Sequence, residues 1–479
     1  MTQGPQARQP SQRAIDRLAA ARPIPGNRVT LLQDGPQAFE AMFALIAGAH
    51  RYIHFENYII RDDKTGWRFA EALAARAREG VAVRVLYDWL GCIATGKKYW
   101  RFLRQAGCEV RVFNPPSPFR PIAFFSREHR KLVVADGGLS VIGGLCIGDE
   151  WAGDPEHGIP PWRDTAVLIE GPASLALDLA FSRIWALAGP PLPEEERTST
   201  VPACGDAAVR VVVGEPGRER AYRVLEYLAA GCKRRLWIVD AYLVPPPRLF
   251  EVLSLAEKDG VDIRLLVPGS SDVPVVRNLT RLGYRDMLRA GMRIFEWDGA
   301  MIHAKTMVAD GRWARVGTSN INLSSLVGNY ELDVVIEDPT LARSMELQFR
   351  RDIGASVEVV RRPRRAPQVL RRVMPSRLTR RQSRAGTVSR GRGRRELRAR
   401  AVVAARRLAS GAFRSLLGPV SLVLVVLGLL ALGLPTVMGY VIGAVCLALA
   451  GVLGLQLWRR REGTRGEAPA RGSGVRSEE

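Results

Sequence analysis

Two stretches of this chain are copies of one pattern, and that repeat constrains its fold more than any other feature. HRKLVVADGGLSVIGGLC begins at His129 and HAKTMVADGRWARVGTSN begins at His303. Each reads His-x-Lys-x-x-x-x-Asp, and each reaches a small-residue turn, at Gly143 and Gly317, at the same distance from its histidine. The flanks repeat as well. Residues 28–33 read as a strand, 36–49 as a helix and YIHFENYII (52–60) as a β-rich strand; 209–213, 219–230 and LWIVDAYLV (236–244) follow in the same order. FAEALAARAREGVAVRVLYD from Phe69 parallels LFEVLSLAEKDGVDIRLLVP from Leu249, each an amphipathic helix, a glycine break and a Val/Leu-rich strand. FLRQAGCEVRVF from Phe102 parallels MLRAGMRIFEW from Met287. Alternating helix and strand predicts mixed α/β lobes whose sheets are covered by helices. A duplicated lobe predicts a pseudo-two-fold, with a site where the copies meet.

The repeat also concentrates chemistry. The chain has five histidines, and two of them, His129 and His303, hold matched repeat positions. Downstream, Asp164 opens DTAVLIE and Glu331 opens ELDVVIE, so each half offers an imidazole, an ammonium, a motif aspartate and a later carboxylate. Residues two apart on a strand share a face, so each His–Lys pair can reach one ligand. Two imidazoles and two ammoniums suit a phosphodiester. The lysines neutralise its oxygens, one imidazole attacks phosphorus, and the other handles the proton of the departing and incoming oxygens. A carboxylate at the far ring nitrogen fixes the tautomer. No metal-ligand cluster is visible, and neither metal nor cofactor is expected. A single His-x-Lys would be unremarkable; two matched sets inside a repeat are not accidental.

Composition adds a surface. The formal charge is +22, which calls for an anionic partner, either nucleic acid or an acidic membrane. Most of the excess lies in residues 361–414, which hold many arginines and one acid, Glu396. Residues 416–458 hold no charged residue, and an apolar helix of about 20 residues crosses a bilayer. A hairpin bending at Pro435 and Thr436 is therefore expected, either as two spans or as a re-entrant loop. Arginines on both flanks place both ends in the cytoplasm, with the basic linker against acidic headgroups. Aromatic residues for base stacking are nearly absent from that linker, so nucleic acid is not the expected partner. The start of the chain, residues 1–27, reads as a loose tail. The cysteines at 92, 108, 146, 204, 232 and 446 form no Cys-x-x-Cys pair and suggest neither disulfides nor zinc.

The duplicated motif, with Gly143-Gly144 in one half and Gly317-Thr318-Ser319-Asn320 in the other, resembles the phospholipase D superfamily over most of residues 28–355. FENYII, Trp162-Arg163-Asp164 and the hydrophobic segment make it similar to the bacterial cardiolipin synthases within that superfamily. The resemblance implies two α/β/α lobes, placed at 28–195 and 196–358; composition and hydropathy add a basic linker (359–414), a transmembrane hairpin (415–458) and a polar tail (459–479). It implies transfer of a phosphatidyl group between phosphatidylglycerol molecules through a phosphatidyl-histidine, with release of glycerol, at the cytoplasmic face of the cell membrane. It makes His129, Lys131, Asp136, His303, Lys305 and Asp310 the catalytic set, with His129 the nucleophile by analogy. Asp164 and Glu331 would orient the imidazoles, and Gly144, Ser319 and Asn320 would hold phosphate. Two features depart from the pattern: Cys146 stands where an asparagine is common, and the hydrophobic segment follows the lobes. Hydrolysis to phosphatidic acid, nucleic-acid cleavage and a non-catalytic scaffold are the competing readings.

Overall fold

The computed structural model describes residues 12–117 and 126–360. The expected transmembrane hairpin, nearly all of the basic linker and the polar tail lie outside the described residues. No helix among the described residues is long and apolar enough to cross a membrane.

The first copy runs α1 (Gln12–Ala19), β1 (Ile24–Gln33), α2 (Asp34–Ala47), β2 (Tyr52–Asn57), α3 (Lys64–Arg78), β3 (Ala82–Asp88), α4 (Lys97–Gln105), β4 (Glu109–Phe113), β5 (Lys131–Ala135), β6 (Leu139–Gly143), α5 (Asp149–Ala152), β7 (Thr165–Glu170) and α6 (Ala173–Leu187). The second runs β8 (Ala207–Gly214), α7 (Arg220–Gly231), β9 (Arg235–Asp240), α8 (Pro247–Lys258), β10 (Asp262–Pro268), α9 (Pro274–Arg289), β11 (Arg293–Trp297), β12 (Lys305–Ala309), β13 (Trp313–Gly317), β14 (Glu331–Glu337), α10 (Pro339–Gly354) and β15 (Ser356–Glu358). Local signals set several ends. Asp63 caps α3 by accepting the Gly66 N–H at 2.8 Å, and α10 starts with Asp338 as cap and Pro339 in its first turn.

All the strands join one sheet in the order β15-β11-β10-β9-β12-β13-β14-β8-β1-β7-β6-β5-β2-β3-β4. The order is the same outward from the β8–β1 junction on either side, so the repeat in the sequence is a pseudo-two-fold in the sheet. Within each copy the three strands that alternate with helices are parallel. The motif strand enters antiparallel beside the innermost of them. Strands β2, β5 and β12 are buried at every residue, so β5 and β12 are largely apolar after their lysines, while β2 buries His54, Glu56 and Asn57 among its apolar residues. One core cluster draws on both copies, packing Phe181 and Trp185 of α6 and Leu341 and Met345 of α10 against Val134, Val167, Val211 and Val334.

Two expectations need correction. Part of the segment read as a loose tail is folded: Ile15 and Ala19 of α1 are buried beside α7, and Asp16 pairs with the buried Arg210 at 2.6 Å. The apolar side chains Ile15 and Leu18 are too few in a polar stretch for sequence periodicity to show this. Second, YIHFENYII and LWIVDAYLV, aligned from their first residues, are one position out of register. Lys131 faces Asn57 and Lys305 faces Asp240, so Tyr52 corresponds to Arg235.

Candidate active site

The motif segment of each copy docks on the other copy. The His129 N–H donates to the Tyr330 carbonyl at 3.0 Å, and the His303 N–H donates to the Arg163 carbonyl at 2.7 Å. Tyr330 and Arg163 immediately precede Glu331 and Asp164, so the side chains cross in the same way. His129 Nδ1 lies 3.0 Å from Glu331 Oε2, and His303 Nδ1 lies 2.9 Å from Asp164 Oδ2. Each imidazole is therefore oriented by the carboxylate of the opposite copy, which leaves Nε2 as the atom for chemistry.

The lysines close the cluster. Lys131 Nζ donates to the His129 carbonyl at 2.6 Å, and Lys305 Nζ donates to that of His303. Lys131 Nζ sits 5.1 Å from the centre of the Tyr58 ring, which is 4.9 Å from that of His129. Lys305 Nζ sits 5.6 Å from the Tyr242 ring, itself 5.9 Å from His303. The site is nearly closed: His129 is 7% exposed and His303 4%.

Burial dominates the electrostatics. It lowers the His129 pKa against the pull of Glu331, and Lys131 and Lys305 add to the lowering. His303 is lowered to about 4, by burial first and by Lys305 next. Lys305 is itself lowered to about 8, chiefly by burial. Burial alone would raise Asp164 and Glu331. The His303 hydrogen bond and Lys305 hold Asp164 down, while His129, Lys131 and the Thr318 hydroxyl do the same for Glu331. Both lysines act on both rings, so the four cationic or basic groups form one cluster.

Not every expected residue is in it. Asp136 and Asp310 stand at the far ends of β5 and β12, about 17 Å along the strand from the lysines. They hold left-handed turns, with φ of 51° and 55°, before Gly137 and Gly311. The Asp136 carboxylate accepts the N–H groups of His50, Arg51 and Tyr52 at 2.8, 2.8 and 2.9 Å. Asp310 accepts those of Lys233, Arg234 and Arg235 at 2.9, 2.8 and 3.0 Å. These aspartates build the turns and tie them to the neighbouring strand, away from the His–Lys cluster.

Gly144 and Ser319 are both engaged with protein groups. A Cβ on Gly144 would stand 2.2 Å from Asp164 Oδ1, so the glycine makes room for the carboxylate, and its N–H goes to the Thr165 carbonyl. The Ser319 hydroxyl donates to Asp333 Oδ2 at 2.5 Å. Asn320 is different: it is buried, and its Oδ1 has no partner among the described residues. At the matching position Cys146 is buried, and burial raises its thiol pKa against the pull of both lysines.

Sequence reasoning passed over Tyr58, Tyr242 and Trp151. Trp151 Nε1 donates to Asp164 Oδ2 at 3.1 Å, and its ring is 5.5 Å from that of His303. Tyr58 lies within the FENYII segment, but nothing in the local pattern marks Trp151. Arg163 is buried and bound to Asp352 at 3.0 Å and Asp34 at 3.2 Å, which fixes the strand entry that carries Asp164.

A family model described as cardiolipin synthase, PLD-like domain, matches residues 42–150 and 226–353. A cardiolipin synthase of Geobacillus kaustophilus (strain HTA426) is 33% identical over 347 residues, covering 68% of this chain and 67% of that protein. The major cardiolipin synthase of Bacillus subtilis (strain 168) is 34% identical over 342 residues, covering 69% and 70%. The solved phosphatidylserine synthase of Haemophilus influenzae Rd KW20 superposes with a TM-score of 0.55 at 15% identity, over 72% of this chain and 91% of that one; this likeness bears on the fold alone. The chain belongs to the phospholipase D superfamily, in the cardiolipin synthase family of phosphatidyltransferases.

Proposed function

We propose that this enzyme moves a phosphatidyl group from one phosphatidylglycerol to a hydroxyl of another and releases glycerol. The observation that carries the reading is the pair of crossed His–carboxylate contacts beside two buried lysines. Nε2 of one imidazole, by analogy His129, attacks phosphorus. The phosphorus–oxygen bond to the headgroup glycerol breaks, and the other imidazole donates its proton to that oxygen. The second imidazole then takes the proton of an incoming lipid hydroxyl, whose oxygen attacks phosphorus and breaks the phosphorus–nitrogen bond. The ammoniums stabilise the charge that builds on the non-bridging oxygens, and Asn320 supplies a further contact. In the free enzyme burial disfavours the imidazolium form of both rings. The negative phosphodiester raises their pKa values on binding, and the proton the acid needs enters with substrate.

Hydrolysis to phosphatidic acid shares the first half-reaction and differs in the acceptor. The near-complete burial of both rings supports transfer, because water has little access. The lobes (28–195 and 196–358) would work at the cytoplasmic membrane face, held by residues 415–458. The test is to supply the detergent-solubilised protein with labelled phosphatidylglycerol and separate the products. Cardiolipin and glycerol are expected. Phosphatidic acid alone would replace the reading with hydrolysis, and cleavage of added DNA without lipid turnover would overturn it.

A further inference from the structure

The sheet end that carries the histidines also gathers exposed apolar side chains. In the first copy, the loop after β3 turns Ile93 outward, 63% exposed, with Leu90 beside it. That loop packs tightly on Tyr58, whose carbonyl lies 1.9 Å from where a Cβ on Gly91 would stand. In the second copy, Leu323 is 66% exposed, three residues after Asn320. Asp272 accepts the hydroxyl of the active-site Tyr242 at 2.8 Å, and α9 begins two residues later.

Helix α9 stands out against its counterpart. It has 16 residues where α4 has 9. Thr280, Tyr284 and Met287 face inward. Val275, Leu279 and Leu282 lie on the outer side, 70%, 49% and 76% exposed; Arg281, Arg285 and Arg289 run beside them, Arg281 paired with Glu296 at 2.7 Å and Arg289 with Asp286 of the same helix at 3.4 Å. An apolar stripe bordered by arginines has the chemistry of an interfacial helix, which buries its apolar side among acyl chains and sets its cations among acidic headgroups.

We infer that α9, with Ile93 and Leu323, forms a docking surface for an anionic bilayer that seats the active-site mouth on the membrane. This rests on the reading of the substrate as a phospholipid. A protein covering this face would block the mouth, whereas a bilayer covering it delivers the substrate. The apolar groups come from both copies around a shared site, and the cations complement acidic lipid.

The test uses the full chain reconstituted into vesicles containing phosphatidylglycerol, with an environment-sensitive fluorophore on Leu282→Cys, Ile93→Cys or, as control on α6, Leu187→Cys. The unsubstituted chain supplies the background from native cysteines. The probes at 282 and 93 are expected to shift to the blue and to be quenched by brominated lipid, and the probe at 187 by aqueous iodide. Equal iodide quenching at all three positions would overturn the proposal. So would a blue shift that appears in lipid-free detergent solution and grows with protein concentration, because a second copy would then cover the face. In a second arm, Val275, Leu279 and Leu282 are each changed to Asp. KM for vesicle substrate should rise about tenfold or more, with turnover of a soluble short-chain phosphodiester changed by less than about twofold. An unchanged vesicle KM would count against docking. The fluorescence arm needs no turnover, so a failed functional reading and a failed docking surface give different results.

Discussion

Behind the first motif lie His54, Glu56, Glu128 and Arg130, all buried; at the matching positions behind the second lie Trp237, Val239, Ile302 and Ala304. One copy supports its histidine on ionisable groups and the other on an apolar cluster with Phe349. Neither oxygen of Glu56 has a partner among the described residues, and burial raises its pKa to about 7. The layer in front differs too. Thr318 donates to Glu331 at 2.6 Å, whereas Gly144 matches Thr318 in the first copy and Asp164 takes its support from Trp151. His303 is boxed by Trp151, Trp162 and Tyr242, while His129 meets Tyr58. Duplication has kept the backbone frame and the His–carboxylate contact and let the surroundings diverge. The two imidazoles are thus inequivalent, which suits the proposed division into one nucleophile and one acid.

The largest expected effect separates them. His129→Ala and His303→Ala should each lower turnover of phosphatidylglycerol by about 10⁴-fold or more. With a phosphatidyl ester of p-nitrophenol, whose leaving group needs no acid, His303→Ala should still release nitrophenol in a burst and His129→Ala should not. The reverse pattern would exchange the roles. Next, Asp164→Asn and Glu331→Gln should each cost about 10²- to 10⁴-fold in kcat. The crossing is broken if Asp164→Asn shows no coupling to His303 in a double-mutant cycle but couples to His129.

The pH profile sharpens the electrostatic side. Because the acid's proton is taken up with substrate, the kcat/KM of the free enzyme should fall as pH rises through neutrality, and more steeply past about 8, where Lys305 loses its proton. Lys305→Arg should remove the steeper limb while lowering the rate overall, because guanidinium does not titrate there. An unchanged limb would assign it elsewhere. Smaller effects reach stability. Asp136→Asn and Asp310→Asn should destabilise by about 1–3 kcal/mol, by loss of acceptor capacity for backbone N–H groups, with kcat of the folded protein unchanged. A large loss of kcat at full stability would return these residues to the reaction. The folded pKa of Glu56, about 7, lies above its unfolded value. Its contribution is therefore present at low pH and lost as pH rises through about 7. His54, held protonated by Asp178 and Glu196 against the effect of burial, adds in the same direction. Glu56→Leu should raise Tm by about 2–4 °C at pH 8 and by less at pH 5. A gain that is the same at both values would mean that Glu56 does not titrate in this range.

The paired lobes, His129, His303, Asp164 and Glu331 were legible because a repeat turns weak local signals into matched ones. The crossing was not legible: spacing along a strand says nothing about which copy faces which ring, and the contact joins residues 202 apart in sequence. Asp136 and Asp310 fall outside the His–Lys cluster because a five-residue strand separates each motif's lysine end from its aspartate. The Ser319 contact to Asp333 was not legible because its partner follows 14 residues later on another strand. Helix α1 was missed because its burial comes from α7 of the other copy.

The central claim is best tested by titrating active sites with the nitrophenyl ester. The account predicts a burst of a single equivalent of nitrophenol per chain, with a single histidine carrying the phosphatidyl group recovered by mass spectrometry. Two equivalents per chain, with label on both His129 and His303, would show that each lobe is a site of its own and would contradict it.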